Sequence, residues 1–93
     1  MVLLSKLKGV SYYSEAIEAL EEGECVFLKI DEESEYDNKP IVCTNSKGKK
    51  LGFISREQKD EVVKIILKEY KATVEKLHRW SGATGCTIKV ESV

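Results

Sequence analysis

The chain has 93 residues, of which 42% are apolar and 33% charged, and its formal net charge is −1. That composition describes one globular domain able to bury a modest core and excludes a disordered tail. No apolar run approaches the roughly 20 residues needed to cross a bilayer, and the near-neutral total argues against a protein that coats long nucleic acid non-specifically. The charge is unevenly spread. Residues 1–37 carry three lysines against ten acids, and residues 38–93 carry twelve basic side chains against six acids.

Residues 2 to about 10 are apolar with interleaved lysines and read as a strand. Ser14 has the character of an N-cap, with Ala16, Ile17 and Leu20 on one face and Gly23 as a stop, which predicts a helix of two to three turns. Residues 24–31 alternate, Val26, Leu28 and Ile30 against Cys25, Phe27 and Lys29, as a half-buried strand does. The acidic loop 32–38 follows. Pro40 opens the next strand, 41–44, where its missing N–H costs least. Asn45-Ser46-Lys47-Gly48 is a turn signal, and 50–54 completes a hairpin.

Ser55 with Gln58 three positions on has the form of a capping box. Val62, Val63, Ile66, Leu67 and Tyr70 then recur at helical spacing, so a main helix is expected from 56 to about 69. Two β-leaning runs, 71–80 and 86–92, close the chain around a turn at 81–85. This order fits a single domain over residues 1–93, mainly β with two α-helices, and a small, curled OB-like or SH3-like barrel is its expected architecture.

Cys25, Cys43 and Cys86 are widely spaced and odd in number, without a C-x-x-C pair, and the single His78 has no partner at zinc-ligand spacing. The three cysteines read as buried small hydrophobes in a reducing compartment. The apolar N-terminus is too short for a signal peptide. A cytoplasmic protein with no membrane partner and no cofactor is expected. The sequence carries no phosphate loop, nucleophile elbow or metal cluster, so the chain is not expected to be an enzyme.

Three motifs stand out: Gly9-x-x-Tyr12-Tyr13 after the first strand, Tyr36-Asp37-Asn38 with Ile41-Val42 between two strands, and Leu51-Gly52-Phe53-Ile54-Ser55-Arg56-Glu57 leading into the main helix. With Ala16-x-x-x-Leu20-x-x-Gly23 between the first two, they resemble the HIRAN family, a small domain at the front of some DNA-repair helicases and also a free-standing bacterial protein. The resemblance covers about residues 9–70. It departs at Ser11, where some DNA-binding relatives carry a basic residue, and at Lys39-Pro40, where the family pattern has Asn-Ala.

The resemblance implies an OB-like barrel that grips the 3′ end of single-stranded DNA. Tyr12, Tyr13 and Tyr36 would build a pocket for the terminal base, Asp37 would accept a hydrogen bond from the free 3′-hydroxyl, and Arg56 would meet the phosphate. Apart from the resemblance, Lys47, Lys49 and Lys50 on the adjoining hairpin would extend the phosphate track, and Lys39 would add positive charge beside the pocket. Any helicase or nuclease partner would be a separate chain.

The chemistry suits that assignment. Stacking of a base on tyrosine is worth roughly 1–3 kcal/mol whatever the sequence, and a carboxylate that accepts from a hydroxyl repels a continuing phosphate. Competing readings stay open. Tyr13 can serve the core, Tyr36-Asp37-Asn38 can be a turn, the lysines can be a solvated hairpin tip, and Trp80 can be core or lid instead of groove. A protein-interaction module in a DNA-repair or phage-related assembly and a nucleotide-binding domain are the alternative functions. The sequence leaves DNA versus RNA and oligomeric state undecided.

Overall fold

The alternation in residues 24–31 builds the strand it predicts, with Val26 and Leu28 buried and Cys25, Phe27 and Lys29 exposed. The computed structural model describes residues 1–32, 39–80 and 83–93, and the Trp80 and Ala83 side chains lie outside this description. The strands are β1 (Val2–Lys6), β2 (Phe27–Ile30), β3 (Ile41–Thr44), β4 (Lys50–Phe53), β5 (Tyr70–Trp80) and β6 (Ala83–Ser92). The helices are α1 (Ser14–Glu18), entered through a 3-10 turn at Val10–Tyr13, and α2 (Lys59–Ile66). All strand pairings are antiparallel.

The mainly β architecture with two helices is as expected, and the curled barrel takes the form of two open three-stranded sheets, ordered β1-β6-β5 and β2-β3-β4, with no closed barrel among the described residues. They are stitched at two corners by isolated bridges. Lys8, just beyond β1, pairs with Phe53 of β4, and Cys25, just before β2, pairs with Thr73 of β5. The first bridge is a reciprocal pair of backbone hydrogen bonds, Lys8 N–H to the Phe53 carbonyl and Phe53 N–H to the Lys8 carbonyl, both 2.8 Å. Beside the second, the Tyr70 hydroxyl accepts from the Leu28 N–H (3.0 Å) and donates to the Leu28 carbonyl (3.1 Å), so a side chain satisfies the edge of β2.

The core lies between the sheets and is capped by the helices, with Ile17, Ile41, Leu51, Val62, Ile65, Ile88 and Val90 in one buried cluster. Along β5, Ala72 and Val74 face inward; a bulge between Val74 and Lys76 shifts the period, and Leu77 next packs against the core. On β1 the burial inverts hydropathy: Ser5 is 1% exposed and Leu4 is 51% exposed. Gln58 accounts for it. Its Oε1 accepts from the hydroxyls of Ser5 (2.8 Å) and Ser55 (3.3 Å), and its Nε2 donates to the Leu4 carbonyl (2.9 Å).

Several boundaries differ from expectation. Helical structure begins at Val10 and ends at Glu18; Tyr13 is the N-cap of α1, and no side chain caps it, so Ser14 is the first helical residue. The Ser55–Gln58 pair is not a capping box, because the Gln58 side chain is committed across to β1 and α2 starts only at Lys59. Leu67 is exposed, and Tyr70 opens β5. Ala83, Thr84 and Gly85 are strand residues, with Ala83 paired to Trp80, while Ser81 and Gly82 lie outside the described residues. Cys43 and Cys86 are buried as expected, but Cys25 is exposed because it lies on the outward side of its strand's alternation.

Gly52 is required by the first bridge. A Cβ there would lie 2.7 Å from the Lys8 carbonyl oxygen and 3.2 Å from both Leu7 Cβ and Val10 Cγ1. Gly52→Ala is therefore expected to lower unfolding free energy by about 2 kcal/mol or more in urea titrations, an overpacking cost.

Burial pushes the Cys43 thiol up to about 12, with nearby Cys86 adding to it, and the Cys86 thiol up to about 11. A thiol whose pKa is raised by folding contributes stability that is fully present below its unfolded value near 9 and is lost as pH rises towards the folded value. Denaturation midpoints are expected to fall progressively between pH 9 and 11, and Cys43→Ser with Cys86→Ser to flatten that fall. In the native state at pH 8, only Cys25 is expected to react with a thiol reagent.

Candidate nucleic-acid interface

The Lys8–Phe53 bridge fixes the corner from which the site is built. Gly9 follows it with φ +72°, a left-handed conformation, and a Cβ there would meet the Phe53 ring at 3.4 Å. The chain then turns into the 3-10 segment, closed by the Tyr12 N–H donating to the Gly9 carbonyl (3.1 Å). This turn sends the two tyrosines in different directions. Tyr13 is half-buried and packs on Phe53, ring centroids 6.1 Å apart and planes tilted by 58°. Tyr12 is 84% exposed.

Tyr12 borders two grooves. The smaller, about 500 Å³, is lined by Lys8, Gly9, Tyr12, Pro40, Phe53 and Arg56 among others. The larger, about 750 Å³, is lined by Tyr12, Tyr13, Glu15, Lys47, Lys49 and Lys50 among others. The hairpin bearing these lysines is held by Asn45, whose Oδ1 accepts from the Lys47 and Lys49 N–H groups, both at 2.9 Å. Among the described residues the ion pairs within 4.0 Å involve Lys89; Glu15 and Glu57 are the acids on the walls of these two grooves, and Lys50 also borders a shallow site with Asp31 and Glu32.

Of the sequence-predicted site residues, Tyr12 and Arg56 share the smaller groove, and Tyr12, Tyr13, Lys49 and Lys50 share the larger. Lys39 borders neither; its Nζ donates to the Glu32 carbonyl (3.0 Å), and its φ is +42°. Tyr36 and Asp37 lie outside the described residues. Arg56 sits three residues before α2, in the turn ahead of it and not in the first helical turn, where Asp60 and Glu61 already answer the helix dipole. Sequence reasoning missed Lys8 and gave Phe53 no role. A lysine directly before the Gly-x-x-Tyr-Tyr motif was the available signal for the first.

The family model of the HIRAN domain matches residues 2–92, well beyond the stretch where motifs are legible. The protein belongs to the HIRAN family. The crystal structure of the HIRAN domain of human HLTF matches it with a TM-score of 0.73 at 21% identity, covering 96% of this chain and 72% of that one. The crystal structure of a protein from Lactobacillus plantarum gives a TM-score of 0.73 at 18% identity, covering 98% and 97%. At these identities the likeness establishes the fold. No curated protein sequence matches.

Within this HIRAN domain the two tyrosines separate scaffold from surface. Tyr12→Ala is expected to leave the melting temperature nearly unchanged, within about 0.5 kcal/mol. Tyr13→Ala should cost about 1–2 kcal/mol through loss of the Phe53 contact and its buried area. Paired thermal melts of the two variants measure the difference.

Proposed function

We propose that this HIRAN domain is a nucleic-acid-binding module that takes the 3′-hydroxyl end of single-stranded DNA. The observation that carries the reading is the smaller groove, where an exposed tyrosine ring and two cations, Lys8 and Arg56, meet in one concavity. The ring offers a flat face for a base, and the cations offer partners for the adjoining phosphate. Lys8 supplies positive charge close to where Ser11 leaves it missing from the motif. Pro40, three positions after Asp37 in sequence, is on the wall of the same groove. In this reading Asp37 accepts from the terminal hydroxyl and Tyr36 contributes a second stacking surface.

Two other readings compete. A nucleotide-binding domain would hold a mononucleotide as tightly as a strand. A protein-docking module would use the outer face of β1, where Val2 and Leu4 are exposed, and would ignore DNA.

Fluorescence anisotropy with paired oligonucleotides, free or phosphorylated at the 3′ terminus, tests the proposal. The free end is expected to bind more tightly, with affinity falling as salt rises. Tyr12→Ala should weaken binding roughly 5- to 150-fold, the equivalent of about 1–3 kcal/mol of lost stacking. Asp37→Ala should abolish the preference for a free end. Equal binding of both termini by the unaltered protein would end the end-recognition reading.

A further inference from the structure

The larger groove is not the one assigned above to the terminal nucleotide, yet it is the more cationic of the two. Lys47, Lys49 and Lys50 are all exposed along it, and Glu15 is the acid on its wall. The lysines are on a β-hairpin tip whose backbone is fixed by four hydrogen bonds through Asn45: two to its side chain, one from the Asn45 N–H to the Lys49 carbonyl (2.9 Å) and one from the Gly48 N–H to the Asn45 carbonyl (3.0 Å). Their Cα positions are thereby set before any ligand arrives. With Lys8 and Arg56, five cations line the two grooves that Tyr12 borders, against Glu15 and Glu57 on their walls, in a chain whose total charge is −1. A local excess of positive charge of this kind fits a polyanion.

We infer that the larger groove is a second nucleic-acid subsite, in which Lys47, Lys49 and Lys50 hold the backbone of the nucleotides 5′ to the terminal one. The inference rests on the reading that the smaller groove takes the strand end. Tyr12 is the wall common to both grooves, so a strand that leaves the terminal position passes directly over this ring into the lysine-lined groove. An aromatic ring has two faces, and one side chain can stack the bases on either side of the step. Binding then depends on strand length, and the lysines contribute to affinity and its salt dependence without reading the end.

The test is anisotropy of the full chain with a thymidine dinucleotide and a thymidine octanucleotide, both with free 3′-hydroxyls, using the unaltered protein and the triple variant Lys47→Gln, Lys49→Gln, Lys50→Gln. The exposed positions leave folding intact, which a thermal melt verifies. The unaltered protein is expected to bind the octanucleotide about tenfold or more tightly than the dinucleotide at low salt. The variant loses that advantage and keeps its dinucleotide affinity. Its slope of log affinity against log salt falls by about 2, the value for three single-strand phosphate contacts.

A variant that retains both the length advantage and the slope overturns the inference, as does displacement of the octanucleotide by polyglutamate at equal charge concentration. A 3′-phosphorylated octanucleotide separates this inference from the end reading. If it binds as well as the free-ended one while the lysine effect persists, end recognition fails and the subsite stands. If the end preference persists without a lysine effect, the subsite alone fails. Failure of the unaltered protein to bind either oligonucleotide overturns both.

Discussion

Two backbone hydrogen bonds between Lys8 and Phe53 hold the architecture of this domain in register. They join the end of β1 to β4, and so one sheet to the other, across a contact that leaves no room for a side chain at Gly52. Everything at the candidate interface follows from that crossing. It places Gly9 against the Phe53 ring, forces the left-handed turn there, and starts the 3-10 segment that seats Tyr13 and projects Tyr12. The same strand pair brings Lys8 beside Arg56, although the two are far apart in sequence.

The second consequence concerns charge. A chain with a total of −1 carries a local concentration of cations because three elements converge on one ring: the end of β1, the β3–β4 hairpin tip and the turn before α2. The basic character is thus a property of the folded surface. The division by sequence into an acidic first part and a basic remainder does not describe it, since Lys8 comes from the acidic part. An exposed tyrosine bordering two cation-lined grooves is the arrangement the proposed stacking of a base between phosphates calls for.

Much of the fold was legible where one rule acted alone. Strict alternation located β2, and the Asn45 turn located the β3–β4 hairpin. Legibility failed where a tertiary contact competed with a local one. Gln58 would complete a capping box with Ser55, but its side chain accepts from the Ser5 and Ser55 hydroxyls and donates to the Leu4 carbonyl, no side chain caps the helix, and α2 begins later. The bulge at Val74–Lys76 breaks the two-residue period of β5, so its inward residues cannot be counted from the sequence. Ala83-Thr84-Gly85 has turn composition but is held in the ladder by pairing with 78–80.

By itself the sequence determined the family, through four short motifs in order, together with the mainly β composition and the residue types able to stack a base and meet a phosphate. Those properties are local: each depends on a few neighbouring side chains and their spacing. The three-dimensional fold was needed to show that the strands form two stitched sheets, that Tyr13 packs on Phe53 while Tyr12 is exposed, and that Lys8, Arg56 and the hairpin lysines line grooves sharing Tyr12. Those facts arise from residues far apart in sequence, such as Lys8 and Phe53, which no local pattern encodes.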